Sequence, residues 1–165
     1  MSGYPVLDPH HHECGIVVPT GTTLIATSDE TGLAVTLRSV IAFTDGLAVE
    51  VDLLAREPAA SNTWHDVMTT ANPEGLQVGF AFADEPTLTP APVQHLDATP
   101  SWVLHRAGGG DLRFSITWWA TPYPPGKRLI MGLEWKRAGI DRRAVAIDVP
   151  SPTDLQERII RIWEQ

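Results

Sequence analysis

The chain has 165 residues, a single cysteine and a formal net charge of −8. This length fits one domain, one cysteine excludes an intramolecular disulfide, and the acidic balance argues against general nucleic-acid binding, which depends on phosphate neutralisation. Because the sequence shows neither a secretory signal nor an apolar run of about 20 residues, we expect a cytoplasmic protein without a membrane partner.

The first fifteen residues are predicted to form an arm ahead of the folded domain, and they contain DPHHHEC at residues 8–14. Imidazole, carboxylate and thiolate groups all bind transition metals. Alternate residues of an extended segment point to the same side, so His10 and His12 could share one metal ion. His95 and Asp97 could complete such a site if the fold brings them near. The alternatives are a solvated arm without a cofactor and adventitious metal binding.

Residues 33–53 predict two paired strands. Apolar residues alternate from Leu33 onward, and the phase of the alternation slips by one near Val40, which indicates a bulge or a bend. Asp45 and Gly46 lie between two apolar runs and predict a two-residue type I′ hairpin turn. The alternation that follows predicts a strand with one buried and one wet face.

The middle of the chain predicts less regular structure. Residues 55–74 break the alternation and predict a long loop or a short helical turn. Alternation returns over residues 76–82, and the four prolines of residues 84–101 predict a surface connection. Three alternating segments with short connections then predict an antiparallel meander, at residues 112–119, 129–135 and 145–149.

The last fifteen residues predict a helix that packs on the domain. Ser151 is a favourable N-cap, Pro152 suits the first helical position, and apolar residues recur at helical spacing from Leu155 onward. Trp119 and Ile130 lie on otherwise polar faces of their strands, so they are the candidates for the surface on which this helix docks.

Many short strands without alternating helices predict a mostly-β fold. We expect an antiparallel, immunoglobulin-like β-sandwich of seven or eight strands over residues 16–150. The helix of residues 151–165 is expected to belong to the same domain, and residues 1–15 form the arm.

Two stretches resemble a group of small actinobacterial-type proteins: VIAFTDGLAVEVDLLAR at residues 40–56 and ITWWATPYPPGKRLIMGLEWKRAGI at residues 116–140. The group has an aromatic residue and a glycine at a hairpin, a tryptophan pair before a proline-rich turn, and a Glu-Trp followed by Gly-Ile. Here these features are Phe43 with Gly46, Trp118-Trp119, Pro122 to Gly126, Glu134-Trp135 and Gly139-Ile140. The group has no assigned activity, so the resemblance implies a shared all-β scaffold and brings no catalytic residues.

The charge is divided unevenly along the chain. Residues 1–100 contain two basic and thirteen acidic residues, whereas residues 101–165 contain ten basic and seven acidic ones. The basic residues of the second part cluster in pairs, which usually mark solvated strand ends; the alternative is a patch for an anion or an acidic partner. With two nearby aromatic residues, the predicted partner patch consists of Trp119, Tyr123, Lys127, Arg128, Lys136, Arg137, Arg142 and Arg143.

The sequence contains no nucleophile elbow, phosphate loop or dinucleotide fingerprint that would indicate a particular reaction. We therefore expect a non-enzymatic β-sandwich that acts by binding a protein partner. Two other hypotheses stay open. One is a metal-binding protein or metal-dependent enzyme that uses the His-rich segment, and the other is a self-associating structural protein, which would form homo-oligomers.

Overall fold

The computed structural model describes residues 13–20, 23–59, 63–68, 72–83, 101–123 and 127–161. The strands in these ranges are β1 (Glu13–Cys14), β2 (Ile16–Val18), β3 (Thr23–Ser28), β4 (Leu33–Phe43), β5 (Gly46–Ala55), β6 (Leu76–Ala83), β7 (Ser101–Gly109), β8 (Arg113–Thr121), β9 (Arg128–Trp135), β10 (Ile140–Asp148) and β11 (Ile160–Arg161). Two short helices are α1 (His65–Met68) and α2 (Pro152–Arg158), and a 3₁₀ turn (Lys136–Ala138) joins β9 to β10. None of the helices in these ranges is long and apolar enough to cross a bilayer.

All strand pairs among the described residues are antiparallel, and there they form two large sheets and one small ribbon. The larger sheet has the order β2-β4-β5-β8-β7, and β3 pairs with β4 on the same side as β2. The smaller sheet has the order β10-β9-β6, and β1 pairs with β11. The predicted mostly-β, antiparallel sandwich with a C-terminal helix is therefore confirmed.

One apolar core lies between the two large sheets. The ring of Phe80 on β6 meets that of Trp118 on β8 edge-on, with centroids 5.9 Å apart. Four alternate residues of β5 point into this core and are at most 1% exposed: Leu47, Val49, Val51 and Leu53. The bulge predicted in β4 is present between Leu37 and Ser39, and it shifts the inward phase of that strand by one residue.

The hairpin between β4 and β5 forms, but the predicted turn type is wrong. Phe43 pairs with Gly46, so the two turn residues are Thr44 and Asp45. No non-glycine residue in the described part of the chain has a positive φ, which a type I′ turn needs at both central positions. Gly46 is instead required by close packing, because a Cβ there would lie 2.4 Å from the carbonyl oxygen of Ala120.

Helix α2 is shorter than predicted. Its start is capped by Ser151, whose Oγ accepts a hydrogen bond of 3.2 Å from a backbone N–H of the first turn. The helix ends at Arg158, since Ile159 is extended with a ψ of 137°. Residues 160–161 then pair with residues 13–14, the end of the predicted arm. The last apolar residues have helical spacing, but pairing with a distant strand ends the helix before them.

A second, smaller apolar cluster lies on the outward face of the larger sheet. Trp119 packs against Phe43 with ring centroids 5.7 Å apart, and Ala48 belongs to the same cluster. Gly15 lies directly against it, because a Cβ on Gly15 would be 2.5 Å from Phe43 Cζ. Leu155, the buried residue of α2, belongs to the main core. Trp119 is therefore not the docking surface of the helix, and Ile130, although buried, belongs to neither apolar cluster.

Candidate binding site

The predicted metal ligands His10, His12, His95 and Asp97 lie outside the described residues. Within the described ranges, no group of three or more His, Cys, Asp or Glu side chains could hold a metal ion. Cys14, the last residue of the His-rich segment, is exposed on β1. The metal site therefore stays a prediction.

The predicted partner patch is divided, because its basic residues lie at both ends of β9. Lys127 and Arg128 stand at the start of this strand, whereas Lys136 and Arg137 follow its end. Strands rise about 3.3 Å per residue, so β9 separates the two pairs by about 25 Å. At the first end, Arg128 Nε lies 2.8 Å from a carboxylate oxygen of Asp148, which neutralises one of the two charges.

Arg142 and Arg143 join the second end of β9. Arg143 pairs with Leu133 across the ladder, and the chain reaches β10 through a turn in which Gly139 has a φ of 68°. Such a left-handed conformation favours glycine. Four exposed basic residues thus meet at this turn, and we call them the basic corner: Lys136, Arg137, Arg142 and Arg143.

The basic corner keeps a net positive charge. Residues 134–143 contain four basic and two acidic residues, which gives a formal charge of +2. Arg142 Nη2 is 4.0 Å from Glu134 Oε2, at the limit of an ion pair. Arg143 donates to the carbonyl oxygen of Arg142, and neither it nor Lys136 forms an ion pair with any described residue.

The two aromatic members of the predicted patch are not exposed. Trp119 is only 9% exposed within the outward apolar cluster. Tyr123 is half-buried against the main core, and its hydroxyl donates a 2.6 Å hydrogen bond to the carbonyl oxygen of Pro150. Burial, with a smaller contribution from the Asp154 carboxylate, raises the pKa of Tyr123 to about 12. The surface patch is therefore basic without an aromatic anchor.

A cavity of about 400 Å³ opens beside the basic corner, and we call it the end cavity. It lies where the β3–β4 turn, the segment after β5 and the 3₁₀ turn meet, and its volume is in the range of small-molecule sites. No local pattern in the sequence predicts this cavity, since its walls come from three separate segments. The lining residues are Asp29, Glu30, Thr31, Gly32, Leu33, Ala55, Arg56, Glu57, Pro58, Ala59, Thr63, Trp135, Arg137 and Ala138.

Charges of both signs line the end cavity. Arg56 Nη2 lies 3.1 Å from Asp29 Oδ1, but both side chains are mostly exposed, so this pair contributes little stability. The carboxylates of Glu30 and Glu57 form no ion pair with the part of the chain that the structure describes. Two unpaired carboxylates therefore face the same space as the guanidinium of Arg137.

Trp135 is one of the residues that line the end cavity. The side chain is 1% exposed, and the ring of Trp64 lies 6.5 Å from it, while Trp64 also stacks on Phe114. Among the described residues, Nε1 of Trp135 is the one buried polar side-chain atom that has no hydrogen-bond partner. Buried polar groups are nearly always paired in native proteins. The lining of the end cavity therefore includes a residue whose buried indole N–H lacks a partner among the described residues.

A buried polar network on the outward face of the larger sheet was also missed by the sequence analysis. Asp52 is 6% exposed and accepts hydrogen bonds from Arg113 and from Ser115 Oγ, the latter at 2.6 Å. The alternation of β5 did predict an outward position for Asp52. Its partners are more than 60 residues away in sequence, and only the pairing of β5 with β8 brings them together.

A shallow depression of about 310 Å³ lies on the same outward face. Its walls combine the apolar cluster around Phe43 with polar residues that include Glu50 and His105. Glu50 accepts a hydrogen bond from Ser39 on the neighbouring strand. The depression therefore has one apolar and one polar side.

Comparison with known proteins gives no relative from which a function could be transferred. No protein-family model matches the chain, and no curated protein matches it significantly. The function is therefore inferred from the geometry and charge of the two neighbouring surfaces, the basic corner and the end cavity.

Proposed function

We propose that this protein acts by binding, and that its basic corner recognises an acidic segment of a partner protein. The observation that carries the proposal is the meeting of Lys136, Arg137, Arg142 and Arg143 at one turn of a chain whose net charge is −8. A positive surface on an otherwise acidic protein attracts an acidic partner in one orientation, because the remaining surface repels it.

The two residues that would contribute most are Lys136 and Arg143. Neither has an ion pair within the described residues, so binding a carboxylate costs no existing pair. The planar guanidinium of Arg143 can bind a carboxylate through two parallel hydrogen bonds, which adds directional specificity.

The backbone beneath the basic corner is held in place before any partner binds. The backbone N–H of Arg137 donates to the carbonyl oxygen of Glu74 at 2.9 Å. Thr31 Oγ1 donates to the carbonyl oxygen of Ala138 at 2.7 Å and connects the turn to the larger sheet. A preorganised turn loses less entropy on binding than a mobile one, so these bonds favour recognition.

The proposal is tested by reversing charge in the corner and, in a matched control, elsewhere. The test variant is Lys136→Glu with Arg143→Glu, and the control is Lys127→Glu with Arg106→Glu, which has the same net charge and changes exposed residues outside the corner. Binding of a short poly-L-glutamate peptide is measured by calorimetry at low and physiological salt.

We expect the test variant to lose at least about tenfold in affinity, while the control stays within about twofold of the wild type. The wild-type affinity should fall with rising salt, because the interaction is between exposed charges. Equal losses in the two variants, or no binding of the peptide by the wild type, would contradict the proposal.

A further inference from the structure

The end cavity combines features that the basic corner does not use. It is a concave space of about 400 Å³ whose lining includes charges of both signs and Trp135, the residue with the unpartnered buried indole N–H. We propose that the end cavity binds a small zwitterion, either a free amino acid or a short peptide with free termini.

The acceptor side of the ligand is indicated by Trp135. Its indole N–H has no hydrogen-bond partner in the described part of the chain, although the residue is only 1% exposed. A carboxylate or carbonyl oxygen in the cavity would accept this hydrogen bond. Arg137 lines the same cavity, and the five donors of a guanidinium allow it to bind a carboxylate beside its existing contacts.

The donor side of the ligand is indicated by Glu30 and Glu57. Both carboxylates line the cavity, and neither has an ion pair among the residues that the structure describes. An ammonium group is the natural partner for such carboxylates. A ligand with a single charge would meet a like charge on one wall, whereas a zwitterion matches both walls.

Access to the indole nitrogen depends on the neighbouring segment. The Nε1 atom itself is covered, and the ring of Trp64 lies against Trp135. Trp64 belongs to residues 63–68, whose helix α1 has four residues. The Trp64 indole N–H donates a 3.0 Å hydrogen bond to the carbonyl oxygen of Gly110, and its ring stacks on Phe114, so a carboxylate reaches Trp135 Nε1 only by displacing these two contacts.

The size of the cavity selects among zwitterions. Small-molecule sites span roughly 300–1,000 Å³, and the end cavity lies near the lower limit. A free amino acid or a dipeptide fits this space, whereas a dinucleotide cofactor does not.

The experiment uses the full chain with three probes: L-alanyl-L-alanine, its N-acetyl derivative and its C-terminal amide. The six tryptophans give six indole N–H resonances in a ¹⁵N correlation spectrum, and the Trp135→Phe variant assigns the relevant one. If that variant does not fold, contacts to the protons of Trp64 assign the resonance in the wild type. Affinity is measured by following the Trp135 resonance during titration.

We expect the dipeptide to bind saturably and to shift the Trp135 indole resonance, and each capped derivative to bind at least tenfold more weakly. Glu30→Gln with Glu57→Gln should weaken dipeptide binding at least tenfold and leave the N-acetyl derivative unchanged. The matched control, Glu74→Gln with Glu157→Gln, alters exposed carboxylates outside the cavity and should change neither.

Equal affinity for the three probes, or no shift of the Trp135 indole resonance with any of them, would overturn the inference. Arg137 belongs to both surfaces, but Lys136 and Arg143, the two residues that the test of the basic corner changes, do not line the end cavity, so the two proposals can fail separately. The Lys136→Glu with Arg143→Glu variant should accordingly bind the dipeptide as the wild type does.

Discussion

The hydroxyl of Tyr123 donates a 2.6 Å hydrogen bond to the carbonyl oxygen of Pro150, and this bond ties the turn after β8 to the segment that leads into α2. Replacing Tyr123 with Phe removes the bond and leaves the Pro150 carbonyl without this donor. We expect the free energy of unfolding to fall by about 1 kcal/mol at neutral pH, as measured by urea denaturation.

The same tyrosine should make stability depend on pH in the alkaline range. Its pKa is raised from 10.0 to about 12 in the folded protein, so the folded state holds the hydroxyl proton more tightly than the unfolded state. The stabilisation is therefore fully present below pH 10 and is lost as the pH rises through about 12. The difference in the free energy of unfolding between wild type and Tyr123→Phe should shrink over this interval. A constant difference would contradict the raised pKa of Tyr123.

A second prediction concerns the buried carboxylate of Asp52. Asp52→Ala removes the acceptor for Ser115 and Arg113, and we expect a loss of about 1–3 kcal/mol in the free energy of unfolding. The loss is limited because the Arg113 side chain is 52% exposed and can be hydrated. Asp29→Ala is the matched control, since the Asp29–Arg56 pair is exposed and should cost less than about 0.5 kcal/mol. Similar losses of unfolding free energy in the two variants would contradict the prediction that the buried Asp52 stabilises the fold more than the exposed Asp29.

A third prediction concerns Gly46, which is closely packed, in comparison with Gly108, which is not. Gly46→Ala places a Cβ 2.4 Å from the Ala120 carbonyl oxygen and 2.6 Å from Trp119, and the backbone oxygen cannot move without disturbing the sheet. We expect a loss of about 1–3 kcal/mol. Gly108→Ala is the control, because no atom lies within 4 Å of its added Cβ. Thermal unfolding of both variants tests the claim, which fails if Gly46→Ala is as stable as Gly108→Ala.

A fourth prediction tests how α2 is attached. Leu155 is 1% exposed within the main core, so Leu155→Ala should leave a cavity and cost about 2–5 kcal/mol. Ile160→Ala, at a position that is 58% exposed, should cost less than about 0.5 kcal/mol. Urea denaturation of the two variants provides the comparison. An equal, small effect of both substitutions would mean that the helix does not stabilise the domain.

Local patterns in the sequence predicted individual strands better than their pairing. The predicted three-strand meander is wrong, because β8 pairs with β5 and β7 whereas β9 pairs with β6 and β10. The alternation of Leu47 to Leu53 identified the inward face of β5, and the phase slip near Val40 identified the bulge of β4. The start of α2 was equally predictable, because a cap depends on residues within one turn of each other. In each case the pattern that identifies the structure lies within a short stretch of the sequence.

The functional surfaces depended on contacts between distant segments. The length of β9 decides that Lys127 and Arg128 stand far from the basic corner, and the β9–β10 register decides that Arg143 belongs to it. The end of α2 is set by pairing with β1, more than 140 positions earlier, and the end cavity exists because three separate turns meet beside Trp135. By itself the sequence determined the inward face of strands such as β5, because this follows from local periodicity, but it did not determine the strands at residues 13–14 and 160–161, which form by tertiary pairing. Only the tertiary structure decided which charges and polar groups meet, because those distances depend on strand pairing and sheet packing across the whole chain.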